Sequence, residues 1–129
     1  MGAPLRVLMV EDSEIDTMFI AGQLERGGLD PVFERVATAS GMEAALDAHP
    51  WDLIISDYSM PGFGGLDALH IYQRRSLDIP FVVVSGVIGE ETAVAMIKAG
   101  AHEYVMKNDL SPLSSAVRQE LRAARERRV

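Results

Sequence analysis

The sequence predicts an α/β fold, a doubly wound five-stranded parallel sheet with helices on both faces. Three observations carry the prediction. Four apolar runs are continuous rather than alternating and too short to be helices, apolar residues between them recur at helical spacing, and strand and helix patterns alternate five times. Continuous runs are how parallel strands read when both faces are covered, since every side chain then meets an apolar neighbour.

In chain order, the run at 7–10 is followed by a helical stripe of Ile15, Phe19, Ile20 and Leu24, which Gly27 and Gly28 stop. The segment 31–37 mixes Val32, Phe33 and Val36 with Glu34 and Arg35, as suits a strand at an exposed edge. Met42, Ala45 and Leu46 then mark a helix, residues 53–55 a strand, and Leu66, Leu69 and Tyr72 a third helix. The run at 81–84 leads to a helix through Val94 and Ile97, with Gly100 ending it. The run at 104–106 precedes a last helix through Leu113, Ala116, Val117 and Leu121, for which Ser111 is the expected N-cap and Pro112 the first helical residue. The fourth helix is expected to begin after Glu91.

Short connections and right-handed crossovers turn this alternation into an open sheet between two helical layers. The weakly apolar second segment places that strand at an edge, which supports the flavodoxin-like order 2-1-3-4-5. With 129 residues, 48% of them hydrophobic, residues 1–129 are expected to form one domain able to bury its own core. No linker, repeat or low-complexity tract interrupts it.

Composition removes several functions. There is no cysteine, so neither disulfides nor thiol chemistry is available, and a reducing cytoplasm is the expected location. No apolar run approaches membrane-span length, and Glu11 and Asp12 follow the first run where a cleavage site would stand, so neither membrane insertion nor secretion is expected. A net charge of −7 argues against direct binding to nucleic acid. The C-terminal end is locally basic, with Arg118, Arg122, Arg125, Arg127 and Arg128 against Glu120 and Glu126; we read it as a solvated helix end complementing the helix dipole.

In sheets of this kind ligands bind beyond the carboxyl ends of the strands, where the order reverses. The first strand runs into Glu11 and Asp12, the third into Asp57, the fourth into Ser85 and the fifth into Lys107. Singly, each has a plainer account: acids at a helix start, a turn aspartate before Pro61 and Gly62, a loop serine, a solvated lysine. Their joint arrival in one crevice does not. Crowded carboxylates repel, so one should stay protonated unless a cation compensates. With His49, His70 and His102 scattered, and read as surface or helix-end residues, the donors are hard oxygens suited to Mg²⁺, with Mn²⁺ as a substitute. Asp57 is then the nucleophile of a phosphoryl transfer, with Lys107 pairing with the incoming group and Ser85 bonding one of its oxygens. Asp12 and the Ser59 carbonyl are expected to hold the metal, with Glu11 acting directly or through water.

The chain resembles receiver domains of two-component signalling along nearly its whole length. The resemblance rests on Val-Glu-Asp-Ser at 10–13, Asp-Tyr-Ser-Met-Pro-Gly-Phe-Gly-Gly-Leu at 57–66, Val-Ser-Gly at 84–86 and Ala-Gly-Ala-His-Glu-Tyr-Val-Met-Lys at 99–107. It implies that Asp57 takes its phosphoryl group from a phosphohistidine on a histidine kinase or histidine phosphotransfer protein. It also implies a switch: Ser85 moves toward the phosphoryl group, Tyr104 swings inward, and the fourth helix, fifth strand and fifth helix, roughly residues 91–125, signal to an output protein or domain.

Two features depart from most such domains. Lys107 precedes Asn108 rather than a proline, so a trans peptide and a differently shaped loop are expected. Ser59 and Val87, flanking the path of an attacking water, offer it no acid or amide, so a long-lived phosphorylated form is expected.

Three other readings compete. A haloacid-dehalogenase-type phosphohydrolase would need an aspartate where Ser59 stands, and the chain leaves no room for a substrate-selecting cap. A pseudo-receiver binding module would not need the five-residue set. A flavodoxin-like cofactor binder would bring a flavin phosphate into an acidic crevice.

Overall fold

The computed structural model describes residues 4–86 and 89–128, the side chain of Glu90 excepted. The elements run β1 Leu5–Val10, α1 Glu14–Arg26, β2 Pro31–Val36, α2 Ala39–Ala48, β3 Leu53–Asp57, α3 Gly65–Arg74, β4 Phe81–Ser85, α4 Glu90–Ala99, β5 Glu103–Met106 and α5 Leu113–Arg127. The five strands are parallel and ordered β2-β1-β3-β4-β5, as predicted. The order reverses at β1, between β2 and β3.

Alternate strand residues divide the core into two layers. Leu8, Val10, Ile54, Phe81 and Val83 pack against Met42, Leu69, Tyr72 and Met96 from α2, α3 and α4. Val7, Met9, Leu53, Ile55, Val82 and Val84 pack against Ile20 and Leu24 of α1 and Leu113 and Val117 of α5. Every residue of β3 and β4 is buried, which explains the continuous apolar runs 53–55 and 81–84 that lead to the polar residues at their carboxyl ends. Burial of each such side chain contributes about 1.5–3 kcal/mol, so the two central strands are the rigid base from which the site residues project. On β2, by contrast, only Val36 is buried.

The helices bury faces that differ from the sequence prediction in three places; in α3 Leu69 and Tyr72 are buried as predicted but Leu66, in the first turn, is exposed. Thr17, Ile20, Ala21 and Leu24 are the buried residues of α1, while Ile15 and Phe19 are 67% and 62% exposed. On α4, Met96 is buried, and Val94 and Ile97 are exposed. In α1 and α4 the apolar residues cover more of the circumference than the sheet does, and periodicity alone does not say which arc the sheet takes.

Helix ends follow local chemistry. Gly27 caps α1, and Gly28 adopts φ +87, open to glycine at little cost. Gly100 ends α4 at φ +124. The start of α5 lies one residue later than expected: Leu113 is its first residue, and Pro112 occupies the cap position. Ser111 is drawn off instead, its N–H and hydroxyl both donating to Asp109 Oδ1 at 3.3 and 2.6 Å. The helix α4 starts at Glu90, before the position predicted. In α5, Arg125 and Arg127 stand in the last turn, on the favourable side of the helix dipole.

Candidate functional site: an acid cluster and a lysine at the carboxyl edge

Glu11 follows the last residue of β1, and its N–H donates to the Val36 carbonyl at 2.9 Å, extending the ladder by one step. The side chain is thereby turned into the protein, where the residue is 1% exposed. Asp12, next in the chain, is exposed. Asp57 is the last residue of β3, 5% exposed, and Ser85 the last of β4, 1% exposed. Carboxylate oxygens of Glu11, Asp12 and Asp57 lie within 4.8 Å of one another.

The turn after Asp57 is held tightly. Tyr58 N–H donates to the Val84 carbonyl at 3.0 Å, and Ser59 N–H to Asp57 Oδ1 at 3.2 Å. A Cβ on Gly65 would lie 3.0 Å from Tyr58 Cα and 3.2 Å from the Asp57 carbonyl oxygen, so glycine lets α3 begin directly behind the aspartate.

Lys107 follows the last residue of β5, and its N–H donates to the Ser85 carbonyl at 2.7 Å. Its Nζ lies 2.8 Å from Glu11 Oε1, 2.8 Å from Asp16 Oδ2 and 3.2 Å from Asp57 Oδ2. Five of the sequence-predicted residues, Glu11, Asp12, Asp57, Ser85 and Lys107, thus stand at the carboxyl edge of the sheet. Asp16 was not anticipated. Its only sequence signal is its place four residues after Asp12, one helical turn along α1, which reads equally as an ordinary first-turn acid.

Charge is unbalanced here. Glu11, Asp12, Asp16 and Asp57 face one ammonium, a formal sum of −3. Burial, followed by the charge of Asp57, raises Glu11 to about 7 despite the lysine beside it. Burial works against the Lys107 ammonium, yet the carboxylates of Asp16 and Glu11 outweigh it and hold the lysine above its usual range. The crowding that the sequence predicts is therefore present, and it bears on Glu11. Three close carboxylates with no nitrogen or sulfur donor fit a hard divalent cation such as Mg²⁺.

Tyr104 on β5 has a buried hydroxyl that stands beside Ser85 without a well-formed hydrogen bond among the described residues; burial raises its pKa, and the Ser85 side chain works against that rise. The Lys107–Asn108 peptide is trans. Val87, on which the expectation of a long-lived phosphorylated form partly rests, lies outside the described residues. His49 and His70 are exposed as predicted, and His102, just past the end of α4, is only partly so. Half-buried between β4 and β5, its Nδ1 accepts from the Phe81 N–H at 3.0 Å, because the turn before β5 folds it back onto the start of β4.

A doubly wound sheet with an acid cluster and a lysine at its carboxyl edge defines a class of signalling domain. Residues 7–118 match the sequence model of the response regulator receiver domain, and the chain belongs to that family. Among its relatives, the phosphate regulon transcriptional regulatory protein PhoB of Klebsiella pneumoniae is 32% identical over 107 residues, covering 79% of this chain and 44% of that protein. Protein-glutamate methylesterase/protein-glutamine glutaminase 5 of Geobacter metallireducens is 35% identical over 124 residues, covering 91% of this chain and 34% of the relative. The chain thus spans less than half the length of these relatives. A response regulator receiver protein from Pseudomonas putida superposes with a TM-score of 0.76 at 27% identity, covering 93% of this chain and all of that one. The signal receiver domain of a putative Luxo repressor protein from Vibrio parahaemolyticus shares the fold at a TM-score of 0.82 and 22% identity, covering 97% and 95% of the two chains. No described helix is long and apolar enough to cross a membrane.

Proposed function

We propose that this receiver domain is a phosphoacceptor switch in which Asp57 takes a phosphoryl group from a phosphohistidine on a histidine kinase or histidine phosphotransfer protein. The observation that carries the reading is the 3.2 Å approach of Lys107 Nζ to Asp57 Oδ2 inside a three-carboxylate cluster. An Asp57 carboxylate oxygen bonds to phosphorus as the P–N bond breaks, and the imidazole leaves carrying the electron pair. Lys107 neutralises charge on the transferred group, and Ser85, at the end of the neighbouring strand, is positioned to donate to one of its oxygens.

Glu11, Asp12, Asp57 and the Ser59 carbonyl would hold Mg²⁺, or Mn²⁺ in its place. The bound cation supplies positive charge for the phosphoryl oxygens and relieves repulsion among the acids. The Tyr104 hydroxyl, buried beside Ser85, supports a switch that couples Ser85 to the surface of α4, β5 and α5, and through it to a partner or output domain. On the other side, exposed Phe19 lines a cleft with Asp16 and Lys107, open to a protein that delivers the phosphoryl group.

The test is intact mass after incubation with Mg²⁺ and acetyl phosphate. One added phosphoryl group, absent without Mg²⁺ and absent in Asp57→Asn, is the expected result. No adduct and no response to beryllofluoride would favour a pseudo-receiver that binds partners without phosphorylation.

A further inference from the structure

We propose that Asp16 is the positioning residue that holds the Lys107 ammonium over Asp57. The inference rests on the phosphoacceptor reading and adds to it a carboxylate outside the acid cluster. Lys107 Nζ donates hydrogen bonds to two carboxylates, Asp16 Oδ2 at 2.8 Å and Asp57 Oδ2 at 3.2 Å, and lies 2.8 Å from Glu11 Oε1 as an ion pair outside hydrogen-bond geometry. Glu11 and Asp57 belong to the cluster that would hold the cation, whereas Asp16 does not. Of the three partners, Asp16 is the one whose carboxylate is free of any other task in phosphoryl transfer.

Asp16 is itself well fixed. Its N–H donates to the Ser13 hydroxyl at 3.1 Å, closing the first turn of α1, and the Ser13 N–H donates to Glu11 Oε2 at 3.1 Å. The same turn therefore sets both the acid pair at the end of β1 and the anchor for Lys107. From the opposite side, the lysine backbone is held by Ser85, and its side chain crosses to α1 with only 17% of its surface exposed. Two fixed ends and a half-excluded solvent make this pair stronger than an ordinary surface ion pair.

During transfer, one N–H of Lys107 turns from Asp57 Oδ2 to a phosphoryl oxygen, while the N–H on Asp16 stays where it is. The ammonium is thus aimed before the donor arrives, and little reorganisation accompanies the reaction. Asp16 makes no contact with the phosphoryl group in this scheme; it acts through the lysine.

The test follows phosphorylation of the whole chain by acetyl phosphate with Mg²⁺, read by intact mass, for wild type, Asp16→Ala, Asp16→Asn, Lys107→Ala and the double variant Asp16→Ala with Lys107→Ala. Asp16→Ala should lower the rate constant at saturating acetyl phosphate about tenfold, the loss of one charge-assisted hydrogen bond. Asp16→Asn, whose amide oxygen still accepts, should lose less. Adding Asp16→Ala to Lys107→Ala should change nothing further. Both Asp16 variants remove the same first-turn charge, so a purely helix-capping role would move their melting temperatures and rates together. The Lys107 side-chain ¹⁵N signal of the metal-free protein, slowed in exchange by its carboxylates, should broaden in Asp16→Ala and survive in Asp16→Asn. An unchanged rate in Asp16→Ala, or an equal loss in the Lys107→Ala background, overturns the assignment while leaving the phosphoacceptor reading intact. No adduct on wild type overturns both.

Discussion

Phe81 and His102 hold each other by two hydrogen bonds: the His102 N–H donates to the Phe81 carbonyl at 2.9 Å, and the Phe81 N–H donates to His102 Nδ1 at 3.0 Å. The pair joins the first residue of β4 to the turn before β5. Nδ1 can accept only when unprotonated, so the clamp requires the neutral ring. Burial lowers the His102 pKa below its ordinary 6.5. Below pH 6.5 the unfolded chain then binds more protons than the folded one, so this contribution to stability is complete above 6.5 and declines as the pH falls. Replacing His102 with Ala leaves the Phe81 N–H unpaired and should cost about 1–3 kcal/mol at pH 7.5. Urea unfolding of the two proteins at several pH values measures this, and the gap between them should narrow toward pH 5.

Glu103, on the edge strand β5, is raised to about 7 by burial and then by the neighbouring Glu120 carboxylate. Between its ordinary 4.5 and about 7 the folded state holds the proton and the unfolded state does not, so this group makes stability fall as the pH rises through that window. Glu11 acts in the same direction in the metal-free protein. The difference between wild type and Glu103→Gln isolates the surface pair. The variant should be more stable at pH 8 by on the order of 1 kcal/mol after solvent screening, and equal to wild type near pH 4. Thermal melts across that range decide it.

Mg²⁺ should stabilise the protein, since a cation binding the folded acid cluster has no comparable site in the unfolded chain. At a hundred times its Kd the gain is about 2.7 kcal/mol, a rise of several degrees in melting temperature. Asp12→Ala should abolish most of this rise with little effect on metal-free stability, because Asp12 is exposed. Glu11→Gln should do the reverse in the absence of metal, raising the melting temperature by removing a buried carboxylate that burial already disfavours. A melting rise in Asp12→Ala equal to that of wild type would place the cation elsewhere.

Much of this protein is legible in its sequence, for reasons that differ by residue. The runs through Val82 and Ile54 read as central strands because burial on both faces leaves no position for a polar side chain. Val32 and Phe33 beside Glu34 and Arg35 read as an edge, and only Val36 of that strand is buried. Ile15 and Phe19 misled, since a helix apolar around much of its circumference does not show which arc meets the sheet. The site was legible wherever a residue ends a strand, as Asp57 and Ser85 do, or directly follows one, as Glu11 and Lys107 do. Parallel strands bring such residues to one edge whatever lies between them.

The sequence by itself determined the five strand-helix units, the edge position of β2 and the presence of acids, serine and lysine at one rim, because each follows from local periodicity and from the chain direction of a parallel sheet. Only the tertiary structure decided that Lys107 reaches Asp16, 91 positions away in sequence, and that His102 faces Phe81 rather than solvent. Those contacts depend on how far α1 and the turn before β5 rotate against the sheet. That rotation is set by the packing of many side chains at once, and no single segment encodes it.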